Sequence, residues 1–297
     1  MDDARSGVVA GATAYVLWGV LTLYWHELRG LDAFGLISWR IVWSVAVLAV
    51  ALLITRRWRA LLAVASDRGL VLRVVVAGIM LTCNWTTYVW CVTHGRVIET
   101  ALGYFLSPIG LVAAGVVAYH ERLRASQRVA LALAVVAVVV LTIGYGAPPV
   151  FALVLATTWT VYGVLKKTVP LGVLESLMAE CLVVAPFAVV FLVLHPSLQG
   201  ASTLQRALVP CTGLVTTVPL LLFAYAAPRV PLATLGWLQY SVPTINLLLG
   251  VFLYDEAMPT WRLVGFALVW IGLAVMAVDT VRRGRRDTAR RALLNSA

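Results

Sequence analysis

Charge is the scarcest commodity in this sequence of 297 residues: Asp, Glu, Lys and Arg make up 12% of it, while 62% is hydrophobic and the mean hydropathy is +0.94. A soluble domain is about a quarter charged, so an ordinary water-soluble fold is excluded and an integral membrane protein is expected. The four cysteines, Cys83, Cys91, Cys181 and Cys211, fall in apolar runs without CxxC spacing, which excludes a disulfide framework and a thiolate metal site and leaves them as small core residues. The four histidines, His26, His94, His120 and His195, show no HExxH or other metal-ligand spacing, and no GxxxxGK[ST] loop is present. No metal, no cofactor and no catalytic residue is therefore expected, and an ATP-driven pump is excluded. The first apolar run ends at Tyr24-Trp25-His26 without a small-residue cleavage site and reads as a retained span.

What is present is apolar sequence in helix-length pieces. Runs near 7–25, 34–55, 71–92, 99–119, 127–145, 149–165, 173–194, 207–226, 232–254 and 261–279 predict ten spans. They lack the alternation of barrel strands, and lipid satisfies no open backbone groups, so the expected class is all-α integral membrane. The net charge of +10 lies in short basic runs between spans, where it sets topology rather than binding nucleic acid. Counting these runs places both termini on the cytoplasmic side of the plasma (inner) membrane, with the basic tail 282–297 against anionic lipid.

The plainest pattern is a duplication. Pro-x6-Gly-x5-Glu occurs as Pro108, Gly115 and Glu121, and again as Pro243, Gly250 and Glu256. Arg96-Val97 before Leu102-Gly103 matches Arg229-Val230 before Leu235-Gly236, and Trp18-Gly19-Val20-Leu21 resembles Tyr162-Gly163-Val164-Leu165. Five spans per copy is an odd number, so the second copy enters the membrane inverted. The expected organisation is a repeat over 1–146, its inverted partner over 147–281 and the tail, an arrangement typical of secondary transporters with a midplane site. The competing class is a membrane scaffold or lipid-modifying enzyme, but no acid/base or metal set gathers at one face.

Two charges lie well inside predicted spans, Arg40 and Glu180. Each costs about 2.5–3.5 kcal/mol at mid-helix and so must face the bundle interior or water. Arg40 is a candidate for substrate binding and Glu180 for charge coupling; the alternative for both is local packing. Polar contacts are expected from Asn84, Tyr88, Gln239 and Tyr240, and apolar walls from Trp18, Tyr104 and Trp237. Trp25, Trp58 and Trp261, near span ends, read as an interfacial belt. In the repeated motif, proline is expected to bend spans four and nine, glycine to allow close packing and glutamate to brace the turn into the next span.

Several of these residues, in this order, resemble one family: Trp18-Gly19, Arg40-Ile41-Val42-Trp43-Ser44, Asn84-Trp85, Leu102-Gly103-Tyr104-Phe105 with Pro108, Glu121-Arg122-Leu123, Tyr162-Gly163, Thr217-Val218-Pro219-Leu220, and Gln239-Tyr240 with Pro243-Thr244. They are similar to the RarD permeases, EamA-type members of the drug/metabolite transporter superfamily. The resemblance implies ten helices in two inverted five-helix repeats, a small-molecule cargo and a link to chloramphenicol sensitivity. Thr22, Trp39 and Ser107 replace the family's usual proline, histidine and asparagine.

Overall fold

The computed structural model describes residues 2–59, 61, 64, 67–119, 125–166, 168–226, 229 and 238–295. Among them, helix is the regular structure and no strand occurs. Among the described residues ten main helical segments follow one another: α1 (Asp2–Glu27), α2 (Ala33–Thr55), α3 (Arg68–Thr93), α4 (Val97–Tyr119), α5 (Ala125–Tyr145), α6 (Val150–Lys166) and α7 (Val173–Leu194). In α8, Thr203–Leu208 continues through a 3-10 turn, Val209–Cys211, into Thr212–Ala226. In α9, Ser241–Leu248 ends in a π turn, Leu249–Leu253, and α10 is Thr260–Asn295. Seven helices are long and apolar enough to cross a membrane, and the shorter apolar stretches Val97–Leu111, Val150–Lys166 and Ser241–Leu253 accompany them.

The helix starts are written locally. Asp32 accepts the Gly35 N–H at 2.7 Å to open α2, and Asp67 accepts those of Gly69 and Leu70 at 2.8 and 3.2 Å to open α3. Ser202 and Gln205 form a reciprocal capping box at the start of α8. Large apolar side chains cover the outside, with Phe187 and Val193 76% and 78% exposed, a surface that lipid and not water accommodates.

Packing crosses the middle of the sequence. The helices in contact include α5 with α10, α4 with α6 and α9, α2 with α7 and α8, α1 with α8 and α9, and α3 with α6 and α7. One apolar cluster, around Trp25, Leu36, Trp85, Tyr88 and Met178, joins α1, α2, α3 and α7. A second, around Phe105, Ile109, Leu141, Leu247 and Phe266, joins α4, α5, α9 and α10.

Pro108, Pro186 and Pro219 lie inside α4, α7 and α8. Pro243 is in the first turn of α9, after a turn at Tyr240 that parts the helical residues 238–239 from Ser241–Leu248. The backbone of the tail that begins at 282 continues the helix of α10 as far as Asn295.

Candidate functional site

Arg40 is set in the apolar cluster of α1, α2, α3 and α7 and is 8% exposed. Its Nε donates to Thr216 Oγ1 on α8 at 2.9 Å. Its guanidinium carbon lies 3.8 Å from the ring centroid of Trp85 and 5.1 Å from that of Trp25. Among the described residues no carboxylate is within ion-pair distance of it. The phenols of Tyr24, Tyr88 and Tyr104 and the thiol of Cys181 are its electrostatic neighbours. A buried cation is thus stabilised by two indole faces and one hydroxyl, each worth about 0.5–2 kcal/mol, with its outer N–H groups making no hydrogen bond among the described residues.

The predicted polar residues around it divide into those that gather and those that do not. Tyr104 donates to Asn84 Oδ1 at 3.1 Å, and Asn84 Nδ2 donates to the Leu155 carbonyl at 3.0 Å and to Thr158 Oγ1 at 2.9 Å, tying α3 to α4 and α6. Tyr88 and Tyr104 face each other with ring centroids 5.9 Å apart. Arg40, Asn84, Tyr88 and Tyr104 therefore belong to one polar centre. Trp18 does not: it packs at 5.3 Å from Tyr15 and 6.1 Å from Phe223, between α1 and α8. Tyr240 stacks on Phe105 at 6.4 Å, in the other apolar cluster, and Gln239 is half-buried just before it. Trp237 and Glu121 lie outside the described residues, with the rest of 120–124 and 230–237.

A buried hydroxyl-amide chain runs from the same centre. Tyr88 donates to Thr22 Oγ1 at 2.7 Å, Thr22 donates to Asn246 Oδ1 at 2.7 Å, and Asn246 Nδ2 donates to Thr100 Oγ1 at 3.2 Å. Thr22, Asn246 and Thr100 are each 0% exposed. The Thr22 hydroxyl thus builds a joint between α1, α3 and α9. Thr22→Val keeps the shape and removes both bonds. The expected loss is about 1–3 kcal/mol, given the modest value of single hydrogen bonds in membranes. Denaturant unfolding of the purified protein in detergent reads it, and a loss under about 0.5 kcal/mol would show that the joint contributes little.

Glu180 is 1% exposed, and its carboxylate accepts from Lys166 Nζ at 2.8 Å, Ser176 Oγ at 2.8 Å and Tyr162 at 3.0 Å. Its ion pair is with α6 and not with Arg40. The Glu256 carboxylate accepts the N–H groups of Val97 and Ile98 at the start of α4, the latter at 3.0 Å, so the helix N-terminus it caps is that of α4. Burial pushes its carboxyl above the ordinary carboxylate range while the two N–H groups pull it down. Gly250 lies against the same helix start, since a Cβ there would come within 2.6 Å of the Ile98 side chain. Gly115 is part of α4.

Sequence reasoning missed the indole box. Trp25, assigned to the interfacial belt, is 2% exposed and covers Arg40. Thr216, Trp85, Thr22 and Asn246 were not nominated either. A tryptophan or threonine in an apolar run carries no mark of what it faces. Two cavities lie elsewhere. One of about 310 Å³ is lined by Arg96, Glu99, Tyr145 and 147–151. A groove of about 590 Å³ on the outside of α2, α3 and α7 is lined by Phe34, Thr86 and Phe187 among others. Neither includes a nominated site residue.

Comparison with known proteins gives concordant matches. The model of the EamA-like transporter family matches twice, over residues 5–143 and 148–278. The RarD protein of Streptomyces exfoliatus is 43% identical over 97% of this chain and 93% of its own. An uncharacterised transporter of Pseudomonas aeruginosa is 39% identical over 96% and 97%. A crystal structure 22% identical, covering 94% of this chain and 99% of its own, superposes with a TM-score of 0.62, which supports the fold alone.

Proposed function

Since the chain belongs to the EamA-like transporter family, and within it to the RarD permeases, it is a multi-pass membrane transporter, and we propose that its cargo is a small organic anion bound at Arg40. One observation carries this reading: Arg40 is a buried cation without a carboxylate partner among the described residues. An intramembrane charge is costly and is kept where a ligand or pathway uses it. The planar guanidinium suits a carboxylate, which it can hold through two parallel N–H bonds. Trp25, Trp85, Tyr88 and Tyr104 would face the apolar body, and Asn84 fixes the Tyr104 phenol.

Transport in this reading is secondary-active and proceeds by alternating access between two inverted five-helix repeats, 1–146 and 147–281. The double match of one family model supports the duplication. The helix pairing supports a two-fold relation between the halves, because exchanging each helix for the one five places on maps α1–α8 onto α6–α3, α1–α9 onto α6–α4, and α3–α7 onto α8–α2. The pairs α2–α7, α4–α9 and α5–α10 map onto themselves, as a pseudo-two-fold axis requires, and the odd number of spans in each half makes that relation an inversion. The inner membrane is the location, with both termini cytoplasmic and the basic end of α10 against anionic lipid. The chloramphenicol link that the resemblance implies enters the same test, because that drug is neutral and would leave Arg40 unpaired.

The test is thermal stabilisation of the purified protein by phenylacetate, phenylacetamide, phenethylamine and chloramphenicol, which vary charge around one kind of aromatic body. Phenylacetate alone is expected to raise the melting temperature in proportion to its saturation of the site. Stabilisation by the amine or the neutral compounds to the same extent would overturn the anion reading. No stabilisation by any of them, with no counterflow in liposomes, would favour a scaffold.

A further inference from the structure

The cavity of about 310 Å³ is built at the ends of α4, α5 and α6 and shares no lining residue with the Arg40 centre. Arg96 precedes α4, Glu99 lies in its first turn, Tyr145 closes α5 and Phe151 lies in the first turn of α6. Glu99 is 6% exposed. Its Oε1 accepts from Arg96 Nη1 at 3.2 Å, while Oε2 accepts no hydrogen bond among the described residues. Nor is Oε2 sealed in the protein, as the unpartnered Glu175 Oε2 is, so it opens to the cavity that its residue lines. A carboxylate oxygen withdrawn from bulk water without a donor is costly, and a ligand N–H placed there removes the cost.

The other groups suit an anion beside that N–H. Arg96 gives Glu99 one of its donors, and the rest of the guanidinium, its carbon 5.2 Å from the Phe151 ring centroid, makes no hydrogen bond among the described residues. The backbone N–H groups of Phe151 and Ala152, in the first turn of α6, have no acceptor among them either, and a helix N-terminus favours negative charge. The Tyr145 hydroxyl accepts from Arg262 Nη2 at 2.6 Å and keeps its own proton to donate. The two charges in the lining, Arg96 and Glu99, cancel. A ligand that carries an ammonium and an anionic group together leaves the cavity neutral, whereas a lone cation or anion does not. The surroundings are those of a bilayer interface: Trp261 packs on Tyr145 with ring centroids 4.4 Å apart, at the depth where tryptophan gathers in membranes. Ile143 and Val150, on either side of the α5–α6 turn, are exposed apolar side chains that lipid covers.

We propose that this cavity binds the headgroup of phosphatidylethanolamine. The primary ammonium donates to Glu99 Oε2, the phosphate accepts from Arg96, the Tyr145 hydroxyl and the first turn of α6, and the acyl chains run along Ile143 and Val150. Pockets of charged side chains between helix ends recognise headgroups in this way. A free zwitterion of the same charges would leave those apolar flanks unused, which is why a lipid is the occupant. Bound there, it ties the start of α4 to the α5–α6 turn, and it does so whether or not Arg40 holds an organic anion.

The test is thermal stabilisation of delipidated protein in detergent by phosphatidylethanolamine, its mono-, di- and trimethylated forms (the last being phosphatidylcholine), phosphatidylglycerol and water-soluble glycerophosphoethanolamine. Phosphatidylethanolamine is expected to half-saturate at a mole fraction about tenfold below that of phosphatidylcholine, the value of one hydrogen bond to a charged group. The step should fall at the third methyl group, where the last N–H is lost. Phosphatidylglycerol, which has no cation, should bind no better than phosphatidylcholine. Glu99→Gln should abolish the tenfold preference, and Arg96→Met should weaken both lipids by removing the phosphate's partner. Equal half-saturation by the ethanolamine and choline lipids in the parent protein, or an undiminished preference in Glu99→Gln, would overturn the proposal. Stabilisation by glycerophosphoethanolamine at the same concentration as the lipid would overturn the assignment to a lipid. Should Glu99→Gln not fold, the methylation series on the parent protein together with Arg96→Met decides.

Discussion

Arg40→Gln is expected to lower the affinity for phenylacetate by about 100-fold and to abolish its counterflow, with the melting temperature without ligand staying near that of the parent protein. The affinity term follows from hydrogen bonds to a charged group, worth about 1.5–3 kcal/mol, with every 1.4 kcal/mol a factor of ten. The stability term is a near cancellation. Removing the guanidinium forfeits the contact with Trp85 and Trp25 and the bond to Thr216, about 2 kcal/mol together, and relieves an insertion cost of about 2.5–3.5 kcal/mol. A residue kept for packing would show the opposite split, with stability lost and binding retained. Arg40→Lys should rescue little, because an ammonium neither stacks on indole in the same way nor offers a planar pair of donors. Counterflow at the parental rate in Arg40→Gln, at equal amounts in the vesicle, would remove Arg40 from the site.

The second large effect is expected at Gly213. A Cβ there would lie 2.4 Å from the Trp43 carbonyl oxygen and 2.6 Å from its carbon, so backbone meets backbone where α8 crosses α2. Nothing flexible can yield. Gly213→Val should cost about 3 kcal/mol or more, at the upper end of overpacking effects. It should also impair transport, since Thr216, one turn along α8, holds the Arg40 Nε. Gly163→Ala is the control: among the described residues its Cβ would meet only the end of Leu111, at 3.2 Å, and helix propensity favours alanine by up to about 1 kcal/mol. Denaturant unfolding in detergent separates the two, and equal melting of both variants would show that the α2–α8 contact is not as close as described.

Much of the architecture could be read without coordinates because lipid imposes a one-dimensional rule. A span must be apolar for about 20 residues and its backbone must bond internally, so the ten helical segments named among the described residues each fall largely within an apolar run that hydropathy picks out. Within that frame the rule has little to say about direction around a helix. Charge is the exception: Arg40 and Glu180 could not face lipid, and both are buried.

Partners were the part that sequence could not supply. Glu256 reaches across to Val97 and Ile98 of α4, 159 and 158 residues away in sequence. Trp18 and Tyr240, chosen for their chemistry, point into separate aromatic clusters, while Trp25, set aside for its place near a helix end, covers the guanidinium. An apolar environment rewards any tryptophan at any interior position to a similar degree, so composition does not rank them.

The sequence by itself determined the all-helical membrane class, the helix-length apolar segments and the two intramembrane charges, because each follows from the cost of polarity in hydrocarbon, which is paid residue by residue. Only the tertiary structure decided that Arg40 stands between two indoles without a carboxylate among the described residues, that Glu180 pairs with Lys166, and that Thr22 joins three helices. Those are properties of pairs distant in sequence, set by helix crossing and rotation, and no local pattern encodes them.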